Sequence, residues 1–138
     1  MPTLSLKIAP HQNPERHTAL GAALTHITAQ VLRKNPDVTV VMVENLPATQ
    51  YCIAGRGTAQ TVACLEIRIT AGTNSADEKA QFICQAYAEL QRQLCADGST
   101  LALASYVVVH ELPASDWGYG GITQAERRAQ RLATSAAP

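Results

Sequence analysis

Pro2 offers the most chemistry in this chain, because it directly follows Met1. An initiator methionine is normally removed when the second residue is small, and proline qualifies. The chain would then start with a secondary amine, fixed where a strand begins. An α-amino group titrates near ~7.7–8.0 when unperturbed, and burial in an apolar pocket disfavours the ammonium and lowers that value. A largely neutral base at pH 7 results, the condition in which proton-transfer catalysis is efficient. The plain alternative is a proline that merely ends the chain. Other reactive side chains are less telling. Cys52, Cys64, Cys84 and Cys95 form no CxxC pair and match no zinc spacing. They read as small buried thiols in a reducing cytosol. His11, His17 and His26 surround the first helix without metal-site spacing, with His26 on its surface. Glu111 follows a strand and could orient water, although its counterpart Glu44 favours a structural turn role. The Gly55-Arg56-Gly57 turn lacks the lysine and spacing of a phosphate loop. No metal or cofactor is expected.

The elements that must position Pro2 follow from periodicity. Leu4, Leu6 and Ile8 alternate with polar residues, which predicts a half-buried strand. Asn13-Pro14 reads as a helix cap with proline in the first turn. Leu20, Ala23, Leu24, Ile27, Val31 and Leu32 then recur at helical spacing, and the helix should stop near Asn35-Pro36. A second strand is expected over 38–44, followed by a Pro/Ala/Thr/Gly-rich segment over 47–58. The same order recurs. Residues 64–70 alternate, Ser75 and Glu78 stand three apart as a capping box, and Phe82, Ile83, Ala86, Tyr87, Leu90 and Leu94 form a second helical stripe. A fourth strand is expected over 103–110.

The segments after the second and fourth strands repeat in residues as well as in type. ENLPATQY at 44–51 stands against ELPASDW at 111–117, each followed by small residues. A duplicated β-α-β unit explains this better than coincidence. Right-handed crossovers make each unit's two strands parallel. The fold class is therefore α+β, an α/β sandwich with a four-stranded sheet and two helices on one face. One domain spans 1–138, with a first unit over 1–58, a second over 62–122 and a C-terminal extension over 123–138. One helical layer cannot cover both faces of a sheet, so self-association is expected. The charge balance, eleven basic against eleven acidic side chains, points to no nucleic-acid partner. The N-terminus has no signal-peptide pattern and no apolar run reaches membrane-spanning length. The expected location is cytoplasmic, with no membrane partner.

In this order, Pro2, the doubled β-α-β pattern and the stretch 105–121 (SYVVVHELPASDWGYGG) resemble the tautomerase superfamily, in particular its fused 4-oxalocrotonate tautomerase-like members. The resemblance covers residues 2 to about 122. It implies a tautomerase/MIF-like fold, a homotrimer, and one catalytic proline per chain, since the second unit begins mid-chain near Ala63-Cys64. By resemblance, Pro2 moves a proton during keto-enol or double-bond isomerisation of a small enol or α-keto acid. Trp117 matches the family's pocket aromatic, and Tyr51 holds the corresponding place in the first unit. Core packing is the alternative for both.

The family's substrate-binding arginines are absent from their usual places. Gln12 or Asn13 and Thr73 or Asn74 stand before the helices, and Thr39 and Tyr106 stand early in the second and fourth strands. A dehalogenase-type arginine pair is replaced by Ala71-Gly72-Thr73-Asn74. A substrate carboxylate still needs a cation. Arg56 is favoured because flanking glycines let the backbone present it closely; Lys7, Arg68 and Arg16 are the other candidates. Lys7 and Arg68 occupy equivalent strand positions on the face away from Leu4, Leu6 and Ile8, where lining a subunit contact is the alternative. Tyr106 is expected to donate a hydrogen bond to a carbonyl oxygen. Two further readings stay open: Pro2 as the acid of a hydratase, dehalogenase or decarboxylase of a three-carbon acid, and a non-enzymatic family scaffold.

Overall fold

The structure is a computed structural model that describes residues 1–10 and 12–136; His11 and the last two residues of the extension lie outside it. The elements run β1 (Thr3–Ala9), α1 (Pro14–Leu32), β2 (Val40–Asn45), β3 (Cys52–Ile53), β4 (Arg56–Gly57), β5 (Val62–Thr70), α2 (Ala76–Leu94), β6 (Tyr106–Leu112), β7 (Gly118–Tyr119), β8 (Ile122–Thr123) and α3 (Gln124–Ala136). Four strands form one mixed sheet in the order β2-β1-β5-β6. β1 pairs parallel with β2 and β5 parallel with β6, as two crossovers require. At the centre β1 and β5 run antiparallel, with Thr3 opposite Arg68 and Ile8 opposite Ala63. The two units are therefore related by a half-turn, and each begins at the end of the sheet where the other's central strand finishes.

Alternation decides which face is covered. Leu4, Leu6, Ile8, Leu65, Ile67 and Ile69 are fully or almost fully buried. They meet Leu20 and Leu24 of α1 and Phe82, Ala86 and Leu90 of α2 in one core. Thr28 is the polar exception on α1; its hydroxyl donates 2.7 Å to the Leu24 carbonyl within the helix, so it can be buried without loss. Ser75 and Glu78 form the expected capping box at the start of α2. Asn13 precedes α1 without a side-chain cap bond, whereas Asn35 caps the short turn Pro36–Val38. That turn delays β2 to Val40, and the Ser105 amide bonded to the Ala102 carbonyl delays β6 to Tyr106.

Among the described residues, no element covers the opposite face of the sheet. Met42 is 52% exposed and Tyr106 62% exposed, among Lys7, Arg68 and a Glu66–His110 pair at 3.0 Å. The cysteines depart from expectation: Cys95 is buried and Cys64 half-buried, but Cys52 and Cys84 are exposed. Among the described residues no helix is long and apolar enough to cross a membrane, and no cluster of three metal-ligating side chains occurs. The extension forms a regular helix, α3. Thr123 and Glu126 cap it reciprocally: Thr123 Oγ1 accepts from the Glu126 amide, and Glu126 Oε2 accepts from the Thr123 amide, each at 3.0 Å.

Candidate functional site

The chain start sits at the N-terminal end of β1, where the Pro2 carbonyl accepts from the Val40 amide at 3.2 Å. Pro2 itself is buried. Beside it lies a cavity of about 540 Å³ built from five parts of the chain. Met1 supplies one wall, Arg33 and Lys34 after α1 another, Thr70 and Thr73 at the end of β5 a third, Ala114 and Tyr119 after β6 a fourth, and Gln124, Arg128 and Arg131 of α3 the fifth. Sequence reasoning missed every cation in this set. They sit beyond helix ends or in the extension, where no strand or motif points to them; only the Thr123–Glu126 capping signature announces α3.

The cations differ in what they already do. Arg33 closes α1 in the left-handed conformation (φ 58°). Its guanidinium grips both carboxylate oxygens of Glu78, at 2.8 and 3.1 Å. That pairing, with the Ser75 amide second, pulls Glu78 down to about 2. Arg33 thus fastens the end of α1 to the start of α2. Lys34 is half-buried and donates 2.9 Å to Thr73 Oγ1, and burial followed by the nearby Arg33 charge lowers its pKa. Arg128 and Arg131 have no ion pair among the described residues. The amine at the chain start is lowered from its ordinary value, first by burial and then by the charges of Lys34 and Arg131. In the full chain that amine belongs to Met1, one residue from where a Pro2 amine would lie.

The candidates named from sequence separate into two groups. Trp117 is at this end: its indole N–H donates 3.2 Å to Thr70 Oγ1, behind a residue that lines the cavity. Arg68, opposite Thr3, is also at this end but on the uncovered face. Lys7, Tyr51, Tyr106 and Arg56 are not. Lys7 lies five residues along β1, on the order of 16 Å at the usual strand rise, and Tyr106 is level with it through Cys64. Tyr51 packs with Ala9, Val62 and Ala102, where β5 begins. Burial, with Cys64 and Tyr106 nearby, raises its pKa. Arg56 is exposed in the β3–β4 hairpin; the flanking glycines serve that hairpin, since Gly55 has φ +75° and a Cβ on Gly57 would meet the Ala48 carbonyl at 2.8 Å. Arg16, at the start of α1, donates to the Gln93 carbonyl at the end of α2. Glu111 is occupied by Lys79 and by the Gly72 amide, a structural turn role.

The Tyr51 end has its own cavity, of about 590 Å³, lined by Ile53, Ala102, Leu103, Ala104 and Tyr106 and by no charged residue. The two ends thus share a scaffold and differ in charge.

No protein-family model and no curated relative matches the chain. Solved structures do. An asymmetric fused 4-OT trimer, R7, aligns with a TM-score of 0.79 at 20% identity, covering 91% of this chain and 98% of that one. A native fused 4-OT aligns at 0.76 and 23% identity, over 90% and 97%. N1, a member of the cis-3-chloroacrylic acid dehalogenase family, aligns at 0.75 and 18% identity, over 99% and 92%. The fold of this chain is that of the fused 4-OT proteins of the tautomerase superfamily.

Proposed function

We propose that this chain is a cytoplasmic tautomerase in which the Pro2 amine, freed by removal of Met1, is the general base for isomerising a small enol or α-keto acid. The observation that carries this reading is the chain-start amine beside a cavity that also holds Lys34, Arg128 and Arg131. The cations do two things at once. Burial and the charges of Lys34 and Arg131 disfavour a proton on the amine, which favours the neutral base. Each cation also attracts the substrate's carboxylate, and Lys34, fixed by Thr73 beside the amine, is best placed to hold it. Trp117 backs the cavity through Thr70.

The same causes bear on the alternative in which Pro2 acts as an acid in hydration, dehalogenation or decarboxylation. A cationic acid needs a pKa above the working pH, and burial together with two neighbouring cations works against that. A binding scaffold without basic groups near Pro2 is disfavoured because Lys34, Arg128 and Arg131 line the cavity, with Trp117 behind Thr70 rather than filling it. Lys7, Arg56, Arg68, Tyr51 and Tyr106 retain a role only through a second copy. In a homotrimer the uncovered sheet face would be buried, and it carries Arg68, Lys7 and Tyr106 towards neighbouring subunits. The trimeric state of the fused 4-OT structures supports that assembly.

The test is phenylenolpyruvate ketonisation, followed in the ultraviolet against pH, with protein shown by mass to lack Met1. The expected result is a rate that rises with pH through one inflection below the ordinary α-amino value. A rate no greater than that of buffer overturns the assignment for this substrate class.

A further inference from the structure

Three hydroxyl-bearing residues line the cavity beside the chain start: Thr70, Thr73 and Tyr119. The two threonines differ in what their hydroxyls already do. Thr73 Oγ1 is engaged in both directions, accepting from Lys34 at 2.9 Å and donating to the Thr70 carbonyl at 2.7 Å. Thr70 Oγ1 accepts from the Trp117 indole N–H at 3.2 Å. An indole nitrogen only donates, so that bond runs one way and leaves the Thr70 hydroxyl proton for another partner. It meets no acceptor among the described residues. Position matters as well. Thr3 pairs with Arg68 across β1 and β5, and the same register continued brings Ile69 level with Pro2 and Thr70 level with Met1. The unused donor is therefore on the strand beside the amine. Gln124, whose Nε2 is also unpaired, and Tyr119 belong instead to α3 and the β7–β8 hairpin.

We propose that Thr70 is a further catalytic residue, its hydroxyl donating to the substrate oxygen that turns from enol to carbonyl, with Trp117 as the positioning residue that aims it. The inference rests on the tautomerase reading, which puts the reacting carbon at Pro2 and a carboxylate at Lys34. Thr70 gives no proton away. Pro2 takes the enol O–H proton and passes it to the carbon, and between these steps the oxygen is an enolate. A donor already aimed at that oxygen is worth most when the oxygen carries most charge, so it lowers the barrier more than it tightens binding. The indole holds the Thr70 side chain in one rotamer, so little freedom is lost when the substrate arrives. Sequence reasoning assigned carbonyl donation to Tyr106, which lies at the far end of its own sheet. Thr70 offers the same chemistry at the end where the amine is.

Kinetics and binding on Met1-free protein test this together. Thr70→Val keeps the side-chain shape and removes the hydroxyl, whereas Thr70→Ser keeps the hydroxyl. In phenylenolpyruvate ketonisation Thr70→Val is expected to lower kcat about tenfold or more, with KM changed by less than about twofold. Thr70→Ser is expected to stay within about threefold of the parent. The pH inflection should stay in place in Thr70→Val, because burial, Lys34 and Arg131 set it. Trp117→Phe should lower kcat less than Thr70→Val does, and should cost nothing further when added to it. A kcat of Thr70→Val within about twofold of the parent overturns the proposal, as does a loss mainly in KM or one that Thr70→Ser shares. Calorimetry supplies a readout without turnover. N-phenyloxamate and N-phenylglycinate share a carboxylate and a phenyl group, and differ by a carbonyl in place of a methylene. The parent is expected to bind the oxamate about fivefold more tightly, and Thr70→Val by less than about twofold. No preference in the parent, or one that survives in Thr70→Val, overturns the proposal. Failure of the tautomerase reading is seen separately, as absent ketonisation by the parent, and the titration still decides whether Thr70 donates to a bound carbonyl.

Discussion

The two ends of the central sheet started as equivalents and now differ in everything but backbone. At one end β1 begins, closed over by the second unit's Trp117 segment; at the other β5 begins, closed over by the first unit's Tyr51 segment. Pro2 and Ala63 stand at matching places, one next to a free chain start and the other inside a continuous chain. The Ala63 N–H donates to Ser105 Oγ at 3.2 Å, and its nitrogen, being an amide, has no basic lone pair. The cavity beside it is uncharged, while the one beside Pro2 collects cations from α3. The lesson is that a duplicated fold supplies two pockets and no chemistry. Under the proposed function the chemistry belongs to the end that has an amine, where Lys34 and the extension's Arg128 and Arg131 supply the charge.

The comparison can be broken most sharply at Pro2. In Met1-free protein, Pro2→Ala exchanges a secondary for a primary amine and disturbs its placement, and ketonisation should fall by roughly 10²-fold or more, the usual share of a positioned base. Retained activity would mean that the two ends are chemically alike. Lys34→Met should raise the KM for phenylenolpyruvate by about tenfold through the lost charge-assisted contact. The same change removes a cation that disfavours the ammonium, so the amine's pKa rises and the inflection in the pH–rate profile moves to higher pH. An unmoved inflection would detach Lys34 from the amine. The aromatic pair sharpens the contrast at smaller scale. Trp117→Phe loses the bond to Thr70 and should cost about 1 kcal/mol in denaturant unfolding. Tyr51→Phe loses no hydrogen bond recorded among the described residues and should stay within about 0.5 kcal/mol. The smallest effect concerns the helix ends. Glu78 is held near 2, below its ordinary 4.5, so its pairing with Arg33 stabilises the fold above that ordinary value and stops doing so as pH falls through about 2. The Tm gap between the parent and Glu78→Gln should therefore narrow between pH 4.5 and 2.

Much of the scaffold was legible because it is written in short-range periodicity. The alternation of Leu4, Leu6 and Ile8, its echo in Leu65, Ile67 and Ile69, and the Ser75–Glu78 cap each determine a local conformation, and each forms as read. The repeated acid-Leu-Pro-Ala-aromatic stretches announced the duplication. The half-turn between units was not legible, because nothing local states whether β1 meets β5 head to head or head to tail. That one relation decides which aromatic faces Pro2, and it places Tyr106, Lys7 and Arg56 at the far end of their own chain. The cations were hidden for a related reason. Lys34 reaches the amine only because β2 returns alongside β1, and Arg128 and Arg131 only because α3 folds back across the start of the chain. An extension over 123–138 was visible in the sequence, while its destination is a tertiary fact.

The pocket beside the chain start is walled by Met1 and by Arg131, residues far apart in sequence, so it closes only once α3 has docked. Synthesis proceeds from the N-terminus, so the Met1–Pro2 bond is in solvent for most of translation and half-hidden once α3 has docked. The excision proposed here is therefore easiest before α3 docks, and protein that folds first would keep Met1 in the wall of the pocket; refolding from denaturant in the presence of an aminopeptidase would then raise the Met1-free fraction.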